Sequence, residues 1–85
     1  VKVTIRYFAS VREKVGAGYE QLELPAGIAT VSDLRAHLRG RGGAWAEALA
    51  DGKLLRAAIN QDMCPPTAAI KAGDEIAFFP PVTGG

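Results

Sequence analysis

The chain has 85 residues, of which 48% are hydrophobic and 22% charged, and its net charge is +1. That length holds one core and no second domain, and so balanced a charge excludes the strong field that draws proteins onto nucleic acid or a membrane surface. No apolar run nears the roughly 20 residues that span a bilayer, no basic-then-apolar leader opens the chain, and a lone cysteine, Cys64, excludes an internal disulfide, so the expected setting is a reducing cytoplasm.

Val1 to Tyr7 alternates. Val1, Val3, Ile5 and Tyr7 share one face and Lys2, Thr4 and Arg6 the other, which predicts a half-buried strand. Phe8 breaks the polar face. Ala9 to Val15 predicts a short helix, with Val11 and Val15 at i, i+4 and Gly16 as its stop. Tyr19 to Leu24 alternates again, Leu22 and Leu24 inward, and Pro25-Ala26-Gly27 ends it.

The main helix starts at Thr30, where Thr30-Val31-Ser32-Asp33 has the form of a capping box. Val31, Leu34, Arg35 and Leu38 fall on one face, and of these only the Val and Leu side chains need burial. His37 sits beside the stripe without a cluster of Cys, His or carboxylates. It reads as a surface or boundary residue, not as a metal ligand or base. Gly40-Arg41-Gly42-Gly43 lacks the endings of a phosphate-cradling loop, and a solitary Arg-Gly-Gly is no RNA-binding array, so it reads as a helix stop and linker. Ala44 to Ala50 is a second short helical stretch with Trp45 and Leu49 at i, i+4; Trp45 is more simply a core residue than a stacking platform.

Asp51-Gly52 turns into a third strand, Leu54 to Asn60, with Leu55, Ala57 and Ile59 on one face. Asn60-Gln61-Asp62 turns the chain into a brief extended piece, Met63 and Cys64, closed by Pro65-Pro66. Cys64 could carry a persulfide in principle. No Lys, Arg or His adjoins it in sequence, so it reads as a small packed thiol. Lys71 to Asp74 is the last tight turn, and Glu75 to Phe79 the final strand, with Ile76 and Phe78 on one face and Phe79 on the other.

Two strands thus precede the main helix and two or more follow it. The economical way to bury both patterns is an α+β fold, a mixed sheet with the main helix laid across one face. Its first and last strands pair in parallel at the centre, a β-grasp arrangement over residues 1–79. Residues 80–85 form an extended tail. Pro80 and Pro81 fix φ, and Val82, Thr83, Gly84 and Gly85 add a reach of about 13–14 Å at roughly 3.3–3.6 Å per residue. The two glycines carry no Cβ and fit a slot too narrow for a side chain. The chain then ends on the α-carboxylate of Gly85. A bare Gly-Gly is also what an ordinary frayed terminus looks like.

Several stretches carry a resemblance that spans essentially the whole chain. They are Tyr7-Phe8-Ala9-Ser10-Val11-Arg12-Glu13, Asp51-Gly52-Lys53-Leu54-Leu55, Asn60-Gln61, Gly73-Asp74-Glu75-Ile76-Ala77-Phe78-Phe79 and the tail Pro80 to Gly85. The chain resembles the small subunits of molybdopterin synthase, ubiquitin-like sulfur carriers of molybdenum-cofactor biosynthesis. Cys64 departs from that family, which usually has an aliphatic residue there.

The resemblance implies that a separate E1-like adenylyltransferase uses Mg-ATP to activate the Gly85 carboxylate. A sulfur donor, expected to be a cysteine desulfurase relay, then leaves a thiocarboxylate. The large synthase subunit receives the tail and passes the sulfur to cyclic pyranopterin monophosphate, within a heterotetramer. The chain itself is then a stoichiometric sulfur donor, a subunit of a sulfurtransferase that binds no cofactor or metal, with the catalytic groups on its partners. Gly84 and Gly85 are its reactive residues.

The strand reading adds a docking surface. Phe8 and Phe79 face away from the inward stripes, Met63 joins them, and Arg12 is the basic residue expected to meet a partner acid. The alternative for Phe8 is that it turns into the core. Two rival functions share the tail chemistry: a thiamine-pathway sulfur carrier, and a protein modifier ligated to lysines through Gly85.

Overall fold

Burial of the alternating faces produces a five-stranded mixed sheet with three helices packed on one side. The computed structural model describes residues 1–81. The expectations for Val82, Thr83, Gly84 and Gly85 lie outside the described residues. In chain order the elements are β1 (Lys2–Tyr7), α1 (Ala9–Val15), β2 (Tyr19–Glu23), α2 (Val31–Arg39), α3 (Gly43–Ala48), β3 (Arg56–Ile59), β4 (Asp62–Cys64) and β5 (Glu75–Phe79). Across the sheet the order is β2-β1-β5-β3-β4. β1 and β5 are parallel neighbours at the centre, and every other pairing is antiparallel.

The inward stripes meet in one core. Ile5, Leu34, Leu38, Leu49 and Ile76 are 0% exposed, and Val3, Tyr7, Val11, Val31 and Phe78 at most 3%. Each such side chain contributes about 1.5–3 kcal/mol through burial. No helix among the described residues is long and apolar enough to cross a membrane.

The main helix begins as its sequence demands. Asp33 donates its N–H to Thr30 Oγ1 at 3.2 Å, and Asp33 Oδ2 accepts from the Thr30 and Ala29 amides at 3.2 and 3.1 Å. Those backbone donors hold the Asp33 carboxyl below its ordinary range. α1 ends as expected, with Gly16 left-handed at φ 79°.

Two arginines do more than the sequence pattern suggests. Arg35, on the edge of the α2 stripe, donates Nε to the Leu49 carbonyl at 2.9 Å and Nη2 to the Lys53 carbonyl at 3.0 Å. It thereby caps the end of α3 and draws the following loop toward α2. The third strand accordingly begins at Arg56 and not at Leu54, because the Lys53 carbonyl faces a guanidinium instead of a neighbouring strand. Leu54 is left 78% exposed.

Arg41, expected in a linker, grips Glu20 through two hydrogen bonds of 2.8 and 2.6 Å, and its guanidinium lies 5.2 Å from the Trp45 ring centroid. Glu20 also accepts from the Tyr7 hydroxyl at 3.1 Å, and Trp45 Nε1 donates to the same hydroxyl at 3.3 Å. Burial, reinforced by the Glu20 charge, pushes the Tyr7 phenol up to about 12. The Arg41 hydrogen bonds hold Glu20 below the usual carboxylate range.

A depressed carboxyl stabilises the fold above its unfolded pKa, near 4.3, and loses that contribution as pH falls through the folded value. Glu20→Gln should therefore lower stability at neutral pH and make the acid-induced loss below about pH 4 shallower than in the wild type. Urea midpoints measured from pH 7 to pH 3 check this; parallel curves contradict it.

The β3–β4 hairpin turns on Asn60 and Gln61, both left-handed at φ 51° and 72°, as a type I′ turn requires. Asn60 also donates Nδ2 to Asp74 and accepts the Glu75 amide, each at 3.0 Å, tying the turn to the start of β5. Asn60→Ala should cost roughly 2 kcal/mol by equilibrium unfolding, from lost hydrogen bonds and left-handed strain. A cost under about 0.5 kcal/mol, the usual range for a featureless surface position, contradicts this role.

Candidate functional site

The three helices pack on one face of the sheet, which leaves the other face to solvent. Strand register decides what stands there. Arg6 faces Ala77, Ala77 faces Ala58 and Ala58 faces Met63, in one row across β1, β5, β3 and β4. The next row, toward the C-terminus, holds Phe8 and Phe79, with Arg56 directly across from Phe79.

Phe8 keeps an extended backbone at the start of α1, φ −127° and ψ 156°, and its amide donates to the Phe78 carbonyl at 3.2 Å. That prolongs the parallel pairing by one residue and holds the ring on the uncovered face. It does not turn into the core. The Phe8 and Phe79 rings meet edge to face, 6.5 Å between centroids. The Arg6 guanidinium lies 5.5 Å from the Phe8 centroid and 3.7 Å from Glu75.

These side chains enclose a shallow cup of about 370 Å³. Ala58 and Ala77 form its floor, and Phe8, Phe79, Met63 and Arg6 are among its walls. Phe8 is 40% exposed and Met63 59%. An aromatic pair and a methionine left to water on one face mark a surface built to be covered.

The tail leaves from this edge. Phe79 ends β5, and Pro80 and Pro81 follow it, both half-buried. On the far side of the exit, Pro80 lines a second concavity with Ser10, Val11, Lys14, Lys53 and Leu54. Arg12 stands exposed on α1, its guanidinium beside Gly18, and it is not among the residues lining the cup.

Cys64 points inward opposite Ala57, and it borders a larger concavity of about 420 Å³ between α2 and the β3–β4 edge. Burial pushes its thiol pKa up, the reverse of an activated thiolate. Among the described residues no group of three or more His, Cys, Asp or Glu could hold a metal ion.

Sequence reasoning missed Arg56. Its strand alternation sends it outward, which was readable. Its place beside Phe79 depends on the β3–β5 register, which was not.

The comparisons with known proteins agree with this architecture. The model of the ThiS family matches residues 5–85, and the chain belongs to that family. It is 51% identical over 83 residues to the molybdopterin synthase sulfur carrier subunit of Haemophilus influenzae, covering 98% of this chain and 99% of that one. Against the subunit of the same name from Escherichia coli the identity is 47%, with the same coverage. Among solved structures, Haloferax volcanii small archaeal modifier protein 1 superposes with a TM-score of 0.75 at 26% identity, over 96% of this chain and 99% of that one.

The two faces should respond differently to mutation. Phe8→Ser should cost no more than about 1.5 kcal/mol, the size of an aromatic-pair contribution, whereas Phe78→Ala should cost about 3–5 kcal/mol. Denaturant titration of both variants tests the distinction. Comparable losses would mean that the outer aromatics belong to the core.

Proposed function

We propose that the chain is the sulfur carrier of a molybdopterin synthase, with Gly85 as the atom-bearing end. The observation that carries the reading is the junction at Phe79. There the central strand ends beside an uncovered aromatic cup, and Pro80-Pro81-Val82-Thr83-Gly84-Gly85 follows at once. Near-full-length similarity to two proteins named as molybdopterin synthase sulfur carrier subunits supports the assignment.

The chemistry follows from the carboxylate. It is a poor electrophile, since its charge is delocalised and oxide does not leave. An E1-like adenylyltransferase with Mg-ATP would let a Gly85 oxygen attack the α-phosphorus and expel pyrophosphate. Sulfur from a cysteine desulfurase relay, carried as a persulfide, would then attack the acyl carbon and expel AMP. Reductive cleavage of the S–S bond by a thiol would leave the thiocarboxylate. In the large synthase subunit that sulfur would pass to cyclic pyranopterin monophosphate. A dithiolene needs two sulfurs, which favours a heterotetramer with two carriers. The carrier needs no general base or oxyanion pocket of its own if these lie on the partners. Phe8, Phe79 and Met63 would form the docking centre, with Arg12 against an acid at its border. All of this is chemistry of the cytoplasm, where thiols stay reduced.

A second reading, a protein modifier joined to lysines through Gly85, is favoured by the likeness to small archaeal modifier protein 1. Both readings share the adenylate and part afterwards.

Intact mass separates them. After incubation with the adenylyltransferase, Mg-ATP and a sulfur source, the carrier reading expects a gain equal to sulfur minus oxygen, absent when Gly85 is deleted. The Gly85 deletion should also abolish sulfur transfer while unfolding like the wild type. Heavier isopeptide-linked ladders without that gain would make the chain a modifier. Full synthase activity in a well-folded deletion would overturn the carrier reading.

A further inference from the structure

The cup on the uncovered face has a charge pattern that the aromatic cluster alone does not explain. Arg6 and Glu75 satisfy each other at 3.7 Å on one side of it. Arg56 does not line the cup; it stands exposed on β3, directly across the sheet from Phe79, and borders the larger concavity whose lining includes Asp51. Among the described residues no carboxylate lies within ion-pair distance of Arg56. Glu75, the acid that lines the cup, is already held by Arg6. The tail end of the face thus offers an unpaired guanidinium beside an aromatic pair, at the point where the chain leaves for a partner.

The cup has a definite shape as well as a charge. Ala58 and Ala77 are only 6% and 8% exposed, although no layer covers that face. The taller side chains of Phe8, Phe79, Met63 and Arg6 shelter them, and the space above them is about 370 Å³. A flat apolar patch would accept many surfaces. A cup with methyl groups for a floor accepts a protruding side chain, and fully desolvated anchors of that kind dominate binding energy.

We infer that the protein partner that takes the tail seats one bulky aliphatic or aromatic side chain on Ala58 and Ala77 and presents a carboxylate to Arg56. This rests on the carrier reading given above and adds the chemistry of the docking partner. Arg56 then works on encounter and Ala77 on fit. A rim cation paired across an interface raises the association rate in a salt-dependent way, whereas an anchor seated in the cup lowers the dissociation rate. The two contributions are separable by kinetics. A single nonspecific hydrophobic contact would show neither the salt dependence nor the steric cost.

The experiment uses the full chain, the purified large synthase subunit and the purified adenylyltransferase, with binding kinetics recorded at low and physiological salt. Arg56→Glu should slow association with at least one of the two proteins by about tenfold at low salt, the lower end of electrostatic steering, and remove most of the salt dependence. Arg56→Gln should fall between. Ala77→Leu should raise the dissociation rate by about tenfold or more, as expected when a central anchor loses its seat, and leave the salt dependence intact. Ala58→Val supplies a milder filling that suits a strand should Ala77→Leu fail to fold. Circular dichroism and the unfolding midpoint confirm that each variant is native.

Wild-type association by folded Arg56→Glu with both proteins overturns the charge assignment. Wild-type dissociation by the folded cup-filling variants overturns the seat. If the wild type binds both proteins and gains its sulfur, those results sink this inference alone. If the wild type binds neither protein and gains no sulfur, the carrier reading fails and this inference with it.

Discussion

The parallel pairing of β1 with β5 is the constraint on which the rest of the molecule depends. Four residue pairs, Thr4 with Glu75 through Tyr7 with Phe78, join the beginning of the chain to its end. Parallel strands cannot be joined by a tight turn, so the chain between them must cross over the sheet, and its helices do so on one face while β2, β3 and β4 extend the sheet on either side. That requirement puts α1, α2 and α3 on the same side and gives the inward stripe of each central strand a cover. It also fixes the exit. A chain whose last strand lies at the middle of the sheet releases the following residues from the middle of the sheet's end, beside Phe8, and not from an outer strand.

The same pairing separates two kinds of apolar surface. Inside, Ile5, Tyr7, Ile76 and Phe78 are sealed beneath Leu34 and Leu38. Outside, Phe8 and Phe79 follow one residue later on their strands and point the other way, because successive side chains alternate. The covered side is then secured at its margins by polar contacts. α3 has six residues, too few to stand alone as a helix. Arg35 caps its far end and the Arg41–Glu20–Tyr7–Trp45 network holds its body against β1 and β2. These anchors keep the helical layer on its own side without drawing any outer residue inward.

Period and punctuation made most of this legible in the sequence. Alternation located β1, β2 and β5, the capping box located the start of α2, and Gly16 marked the end of α1. The central parallel pair followed from the order of elements in so short a chain. Side chains that act at a distance were not legible. Arg35 falls on the helical stripe as the member that needs no burial, and nothing local points to its partners, the carbonyls of Leu49 and Lys53. Arg41 lay in a glycine-rich stretch that looked like a linker, and nothing local points from it to Glu20. Arg56 was one outward residue of a strand until register set it beside Phe79. Local pattern specifies which face a residue occupies. It does not specify which residue of another strand or helix will stand opposite, because that depends on register and on the packing angle of the layers.

On the carrier reading, this division of labour has a physical reason. A reactive terminus has to enter the active sites of different proteins in turn, so it must be slim, and a slim tail of glycines offers little surface to bind. Affinity must come from somewhere else. A rigid face at the base of the tail supplies it, and once that face has docked, the tail end is confined within a few residues' reach of its target. Its effective concentration there rises to that of an intramolecular reactant. The face must also let go, since the partner that activates the carboxylate is not the one that consumes the sulfur. A shallow cup, one methionine and one unpaired arginine suit that requirement better than a broad apolar interface would. Adaptable contacts and steering charges give fast encounter without locking the complex.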